Sequence, residues 1–148
     1  INLVGCDDSN TTGPDFSDAA GSTTYQSGCK SEAADADPNQ ECIELSYNNE
    51  GTLVLRHINS GLNCCPDHFN SEITIEDGRI TVNEQGLGAG CKCECLFDLE
   101  YTLVNVPVDE YEIEFIGFKS GMNISMSVNL NTQTYVMHCV DRDEYPWG

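Results

Sequence analysis

The sequence predicts an all-β fold: an antiparallel β-sandwich of about eight strands behind an acidic, poorly ordered N-terminal tether. Three observations predict it. Short runs of alternating apolar and polar residues recur from Cys42 onward, and no segment carries a helical period. An Asp-Gly pair sits between alternating isoleucines, with Ile73 and Ile75 before Glu76-Asp77-Gly78-Arg79 and Ile80 and Val82 after it, which is a hairpin signature. Nine cysteines in 148 residues suit a small domain stapled by disulfides in an oxidising compartment.

Residues 1–40 are read as one unit and residues 41–148 as another. The stretch 7–40 carries seven acids and one base and few apolar side chains. Asn10-Thr11-Thr12-Gly13-Pro14 and Gly21-Ser22-Thr23-Thr24 are loop chemistry. Such a segment buries too little apolar surface to offset its ordering entropy, so a tether is expected. From Cys42 the strands follow in order. Ile43, Leu45 and Tyr47 alternate, and Leu53-Val54-Leu55 follows after Asn48-Asn49-Glu50-Gly51. The Asp-Gly hairpin comes next, then a run from Cys91 to Val104 long enough to bend or break once. Tyr111, Ile113 and Phe115 alternate, Ile124, Met126 and Val128 share a face, and Tyr135, Met137 and Cys139 close the series.

Charge excludes several partners. The chain has 25 acids against 6 bases, a formal charge of −19, which repels nucleic acid and anionic membranes. No apolar run reaches the ~18 residues of a membrane-spanning helix, so membrane attachment is expected only through a lipid anchor or a partner. Gly-x-Ser-x-Gly, phosphate-loop and His-Glu-x-x-His signatures are absent, and no assembled catalytic set, cofactor site or metal site is expected. The three histidines read as surface or strand residues.

The cysteines carry the strongest constraint. In a strand, Cys91, Cys93 and Cys95 point the same way, and their Cα atoms step by roughly 6.6 Å, at the limit for a disulfide. They are not expected to pair with one another. Cys29–Cys42 is expected to close a small loop, with Cys64, Cys65 and Cys139 matched to Cys91, Cys93 and Cys95 in an order the sequence leaves open. The competing chemistry is a soft-metal site. Reduced Cys64, Cys65, Cys91, Cys93 and Cys95, with His68 and His138-Cys139, offer ligands for copper or zinc.

Cys6 stands apart. Leu3-Val4-Gly5-Cys6 resembles the lipobox of bacterial lipoproteins, and Asp7-Asp8 resembles the acidic stretch after the lipid-bearing cysteine in surface-exposed lipoproteins of Bacteroidota-type bacteria. The resemblance implies acylation of Cys6 and an outer-membrane, outward-facing location. Val106-Pro107-Val108-Asp109-Glu110-Tyr111, followed by an alternating strand, resembles the turn of immunoglobulin-like and prealbumin-like sandwich domains, with Asp109 where Gly is usual. The resemblance implies a tyrosine corner at Tyr111.

Taken as a set, Asn63-Cys64-Cys65-Pro66, Cys91 to Tyr101, Cys139 and Tyr145-Pro146-Trp147 are similar to small cysteine-rich lipoproteins of Bacteroidota bacteria, whose function is uncharacterised. Tyr145 and Trp147 are candidate partner contacts. The expected function is a non-enzymatic surface or periplasmic module that binds or scaffolds a protein or glycan partner. The alternative is a subunit of an extracellular assembly, with Ile1, Leu3 and Val4 adding as a strand to a neighbour's sheet.

Overall fold

The computed structural model describes residues 13–30, 37, 39–65, 69–84, 92–117 and 123–142. The described residues form nine strands and no helix: β1 (Ala20–Gln26), β2 (Gln40–Tyr47), β3 (Leu53–Asn63), β4 (Glu72–Glu76), β5 (Arg79–Asn83), β6 (Glu94–Val104), β7 (Glu110–Ile116), β8 (Asn123–Asn129) and β9 (Tyr135–Asp141). The larger sheet has the order β1-β6-β3-β2-β9 and the smaller β4-β5-β7-β8. The larger sheet is antiparallel throughout. In the smaller sheet β5 and β7 run parallel, one parallel pairing within the antiparallel sandwich that the sequence predicts. Parallel neighbours need a crossover. Here β6 supplies it, since the chain leaves β5, runs through the opposite sheet and returns as β7.

The alternation seen in the sequence fills the space between the sheets. Ile43, Leu45, Leu53, Leu55, Leu99 and Leu103 from the larger sheet meet Ile80, Val82, Ile113, Phe115, Ile124 and Val128 from the smaller in one buried cluster. Fully burying each such side chain is worth about 1.5–3 kcal/mol. The Asp77-Gly78 turn joins β4 to β5, with Gly78 in the left-handed region at φ 70. The run ending at Val104 is one unbroken strand from Glu94.

Residues 20–26, expected within the tether, form edge strand β1 against β6. Two features hold it. Thr23, Thr24 and Tyr25 favour extended backbone, and Gly21 lets the chain approach closely. A Cβ built there would lie 2.9 Å from Ile73 Cγ2. The tyrosine corner forms as the resemblance implied. The Tyr111 hydroxyl donates to the carbonyl of Pro107 at 2.9 Å, and the Phe16 ring meets Tyr111 edge-on at 6.3 Å. Tyr47 donates to the Val106 carbonyl at 2.8 Å. Asp109, in place of Gly, accepts the Glu110 N–H at 2.8 Å, and the left-handed residue falls earlier, at Asn105 with φ 55.

The disulfides keep to the expected matching at Cys64–Cys93 and depart from it at Cys29, Cys42 and Cys139. They are Cys29–Cys95, Cys42–Cys139 and Cys64–Cys93, with Cα separations of 5.4, 4.1 and 5.5 Å. Because β1 pairs with β6, Cys29 arrives beside Cys95 and not Cys42. Because β2 pairs with β9, Cys42 lies directly opposite Cys139. Cys93 bonds to Cys64 at the end of β3, and Cys95 bonds to Cys29 in the segment after β1. Cys65 is also disulfide-bonded, while Cys6 and Cys91 lie outside the described residues. Several disulfides place the protein in an oxidising, non-cytoplasmic compartment.

Disulfide mapping of the unreduced protein should return these three pairs. A Cys42→Ala/Cys139→Ala variant should lose about 2–4 kcal/mol in denaturant unfolding. An unchanged midpoint would contradict the placement of β9.

Candidate functional site

Four polar residues continue the inward-facing alternation and meet at one end of the core. Glu41 extends the series of Ile43, Leu45 and Tyr47. His57 follows Leu53 and Leu55, Glu84 follows Ile80 and Val82, and Tyr101 lies between Leu99 and Leu103. His57 is 1% exposed and Glu84 0%, so the expectation of unremarkable histidines is corrected at His57. Its Nε2 lies 2.6 Å from Glu41 Oε1, and its Nδ1 lies 2.9 Å from both Glu84 oxygens. With a carboxylate on each ring nitrogen, the ring satisfies both only as an imidazolium donating twice.

Glu84 also accepts from Ser60 Oγ at 2.7 Å and from the Tyr101 hydroxyl at 2.6 Å. Since that hydroxyl proton points to Glu84, Ser71 donates to the Tyr101 oxygen, 2.9 Å away. The Phe115 ring packs on His57 with centroids 4.6 Å apart. Arg142 Nη2 closes the other end, 3.2 Å from Glu41 Oε2. Charges alternate along Arg142, Glu41, His57 and Glu84.

This pattern sets the titration. Burial opposes a charged His57, but the Glu84 charge and the hydrogen bonds from both carboxylates outweigh it and raise the ring from its ordinary 6.5 to about 9. Burial likewise opposes a charged Glu41, yet His57 and then Arg142 hold it below the ordinary carboxylate range. Burial, with the Glu84 charge behind it, pushes the Tyr101 phenol well above its usual range.

A second cluster adjoins the first through Arg142. A bulge interrupts the β3–β6 register between His57 and Ser60, and Asn59 sits there at φ 61. Asn59 is bonded on every side. Its N–H donates to Asp98 Oδ1 at 3.0 Å, and its Nδ2 donates to the carbonyls of Asp37 and Gln40 at 3.0 and 2.8 Å. Its Oδ1 accepts from Lys30 Nζ at 3.0 Å, and its carbonyl accepts from Arg142 Nη2. Lys30 Nζ also forms a short ion pair with Asp98.

The outer face of the larger sheet carries a transverse row. Met137, Glu44, Arg56, Glu100 and Tyr25 are register partners across β9, β2, β3, β6 and β1. Arg56 Nη1 lies 2.6 Å from Glu44 Oε2, and Tyr135 donates to Glu44 Oε1 at 2.9 Å. Tyr135 is 59% exposed and Met137 52%. On the other sheet an open groove of about 470 Å³ runs along β7 and β8, lined by Glu110, Glu112, Ser127 and Asn129 among others.

The Cys64, Cys93 and Cys95 sulfurs lie within 4.8 Å of one another. They are oxidised in the Cys64–Cys93 and Cys29–Cys95 bonds, and Cys139 is held elsewhere by Cys42. The soft-metal grouping of Cys139 with Cys93 and Cys95 is thereby corrected. Cys6, His68, Cys91, Tyr145 and Trp147 lie outside the described residues. No protein-family model, curated protein or solved structure matches the chain.

The raised His57 makes a signed prediction. Its folded value exceeds its unfolded value, so its stabilising contribution is complete below pH 6.5 and is lost as pH rises through about 9. Glu41 contributes above its ordinary 4.5 and loses that contribution as pH falls. Urea unfolding should show stability declining on the alkaline side by about 3 kcal/mol. His57→Gln should lack that decline and cost about 3–5 kcal/mol at neutral pH, because it leaves buried carboxylates unpaired. The same alkaline decline in both proteins would contradict the assignment.

Proposed function

We propose that the chain is a non-enzymatic cell-envelope module, anchored to the outer membrane by acylation of Cys6 and facing outward, that holds a protein partner on the outer face of its larger sheet. The observation that carries the reading is the transverse row with Tyr135 and Met137 at one edge and Tyr25 at the other. Tyr, Met and Arg are the side chains enriched where proteins dock. Here Arg56 is held between Glu44 and Glu100, 2.6 and 4.0 Å away, so ordering the row costs little on binding. The disulfides that staple the larger sheet favour the same use, since a fixed platform loses little entropy on docking. The network around His57 serves structure in this reading, because its charges are spent on one another.

Assembly through N-terminal strand addition is the second reading. It is favoured by β9, an edge strand that pairs on one side only among the described residues and offers a template for another strand.

Immobilised protein exposed to envelope extract from the source organism should retain a protein partner that a Tyr135→Ala/Met137→Ala variant loses by at least about tenfold. Equal retention by both proteins, retention of a glycan alone, or turnover of a substrate would contradict the reading. Cys6→Ser should move the protein from the membrane to the soluble fraction. Unchanged membrane association would remove the anchor.

A further inference from the structure

Lys30, Asn59 and Asp98 form a constellation that neither the ionic network nor the docking face uses. The segment after β1 brings in Lys30, pinned by its backbone N–H to the Leu96 carbonyl at 2.9 Å. The bulge in β3 presents Asn59, and β6, the strand between β1 and β3, presents Asp98. Side-chain exposure is 14% for Lys30 and 20% for Asp98, and Asn59 is 1% exposed. An amine, an amide and a carboxylate are thus held together with little water. Their orientation is fixed. The carbonyls of Asp37 and Gln40 take both hydrogens of Asn59 Nδ2, which turns Oδ1 toward Lys30. The Lys30 Nζ is then 3.0 Å from Oδ1, one bond away from the carbonyl carbon. Asp98 Oδ1 touches both Lys30 Nζ and the Asn59 N–H.

We propose that Lys30 and Asn59 join in an intramolecular isopeptide bond, with Asp98 as the catalytic acid–base group. Asp98 takes a proton from the Lys30 ammonium, and the freed amine attacks Cγ of Asn59. The Nζ–Cγ bond forms and the Cγ–Nδ2 bond breaks. The departing nitrogen carries away two protons of the former ammonium and leaves as an ammonium ion. The product is a secondary amide, the positive charge leaves with the ammonium, and no electrons are exchanged. Proximity supplies the driving advantage. Reacting groups held a few ångströms apart in fixed orientation reach effective concentrations of about 10⁵ M or more. The link would tie the segment after β1 directly to β3, across β6.

The test is the mass of the full chain after complete reduction and denaturation. It should fall about 17 Da below the sequence mass, the weight of one ammonia. Tryptic mapping should give a branched peptide joining Lys30 to Asn59, with no cleavage after Lys30. Full mass, or an equal loss located at Asn59 alone with Lys30 free, would overturn the proposal. Lys30→Arg keeps the charge beside Asp98 and should restore full mass. A persistent loss there would overturn it. Asp98→Asn should lower the cross-linked fraction by at least about tenfold. Cross-linking undiminished in that variant, with the Cys64–Cys93 bond still formed, would overturn the role of Asp98.

Discussion

A buried imidazolium between two carboxylates is the interaction on which this sandwich depends. His57 and Glu41 come from the larger sheet and Glu84 from the end of β5 in the smaller. Their attraction therefore crosses between the layers, where Tyr101 and Ser60 from the larger sheet also meet Glu84. Burying isolated ions costs several kcal/mol each. The alternation of Arg142, Glu41, His57 and Glu84 makes burial tolerable, and removal of any member leaves a neighbour uncompensated. The same residues fix register. A one-residue slip of β3 would turn His57 outward and Arg56 inward, taking the imidazole away from Glu41 and Glu84.

Covalent continuity runs across the larger sheet in parallel with this ionic chain. Cys29–Cys95 ties the segment after β1 to β6, Cys64–Cys93 ties the end of β3 to the segment before β6, and Cys42–Cys139 ties β2 to β9. The tight connection from Tyr47 to Leu53 joins β2 to β3. Each adjacent pair in the order β1-β6-β3-β2-β9 is thus linked by a disulfide or by a short turn. The smaller sheet among the described residues depends instead on apolar packing, on Glu84 and on the Tyr111 corner.

Much of this was legible in the sequence because strand periodicity is a two-residue signal. Ile43, Leu45, Ile80, Val82, Ile113 and Phe115 fall inward as their alternation requires. Tyr111 takes its corner because Pro107 is in place to receive its hydroxyl. The site was legible in principle too. Glu41, His57 and Glu84 stand at inward positions of apolar series, where a polar residue demands a partner. What the sequence hides is which partner, since Glu41 and Glu84 lie far apart in the chain and meet only through pairing. The cysteines were obscure for the same reason. Cys29 follows β1, whose Thr and Ser residues have too little apolar character to announce a strand, so its route to Cys95 depends on an edge pairing that periodicity does not report.

The central claim is that a charged His57 holds the layers together. Nitrogen-detected NMR of the His57 ring measures this directly. Both ring nitrogens should carry protons at neutral pH, and the ring should titrate near 9, well above its ordinary 6.5. A His57 ring carrying a single proton at neutral pH would contradict the account.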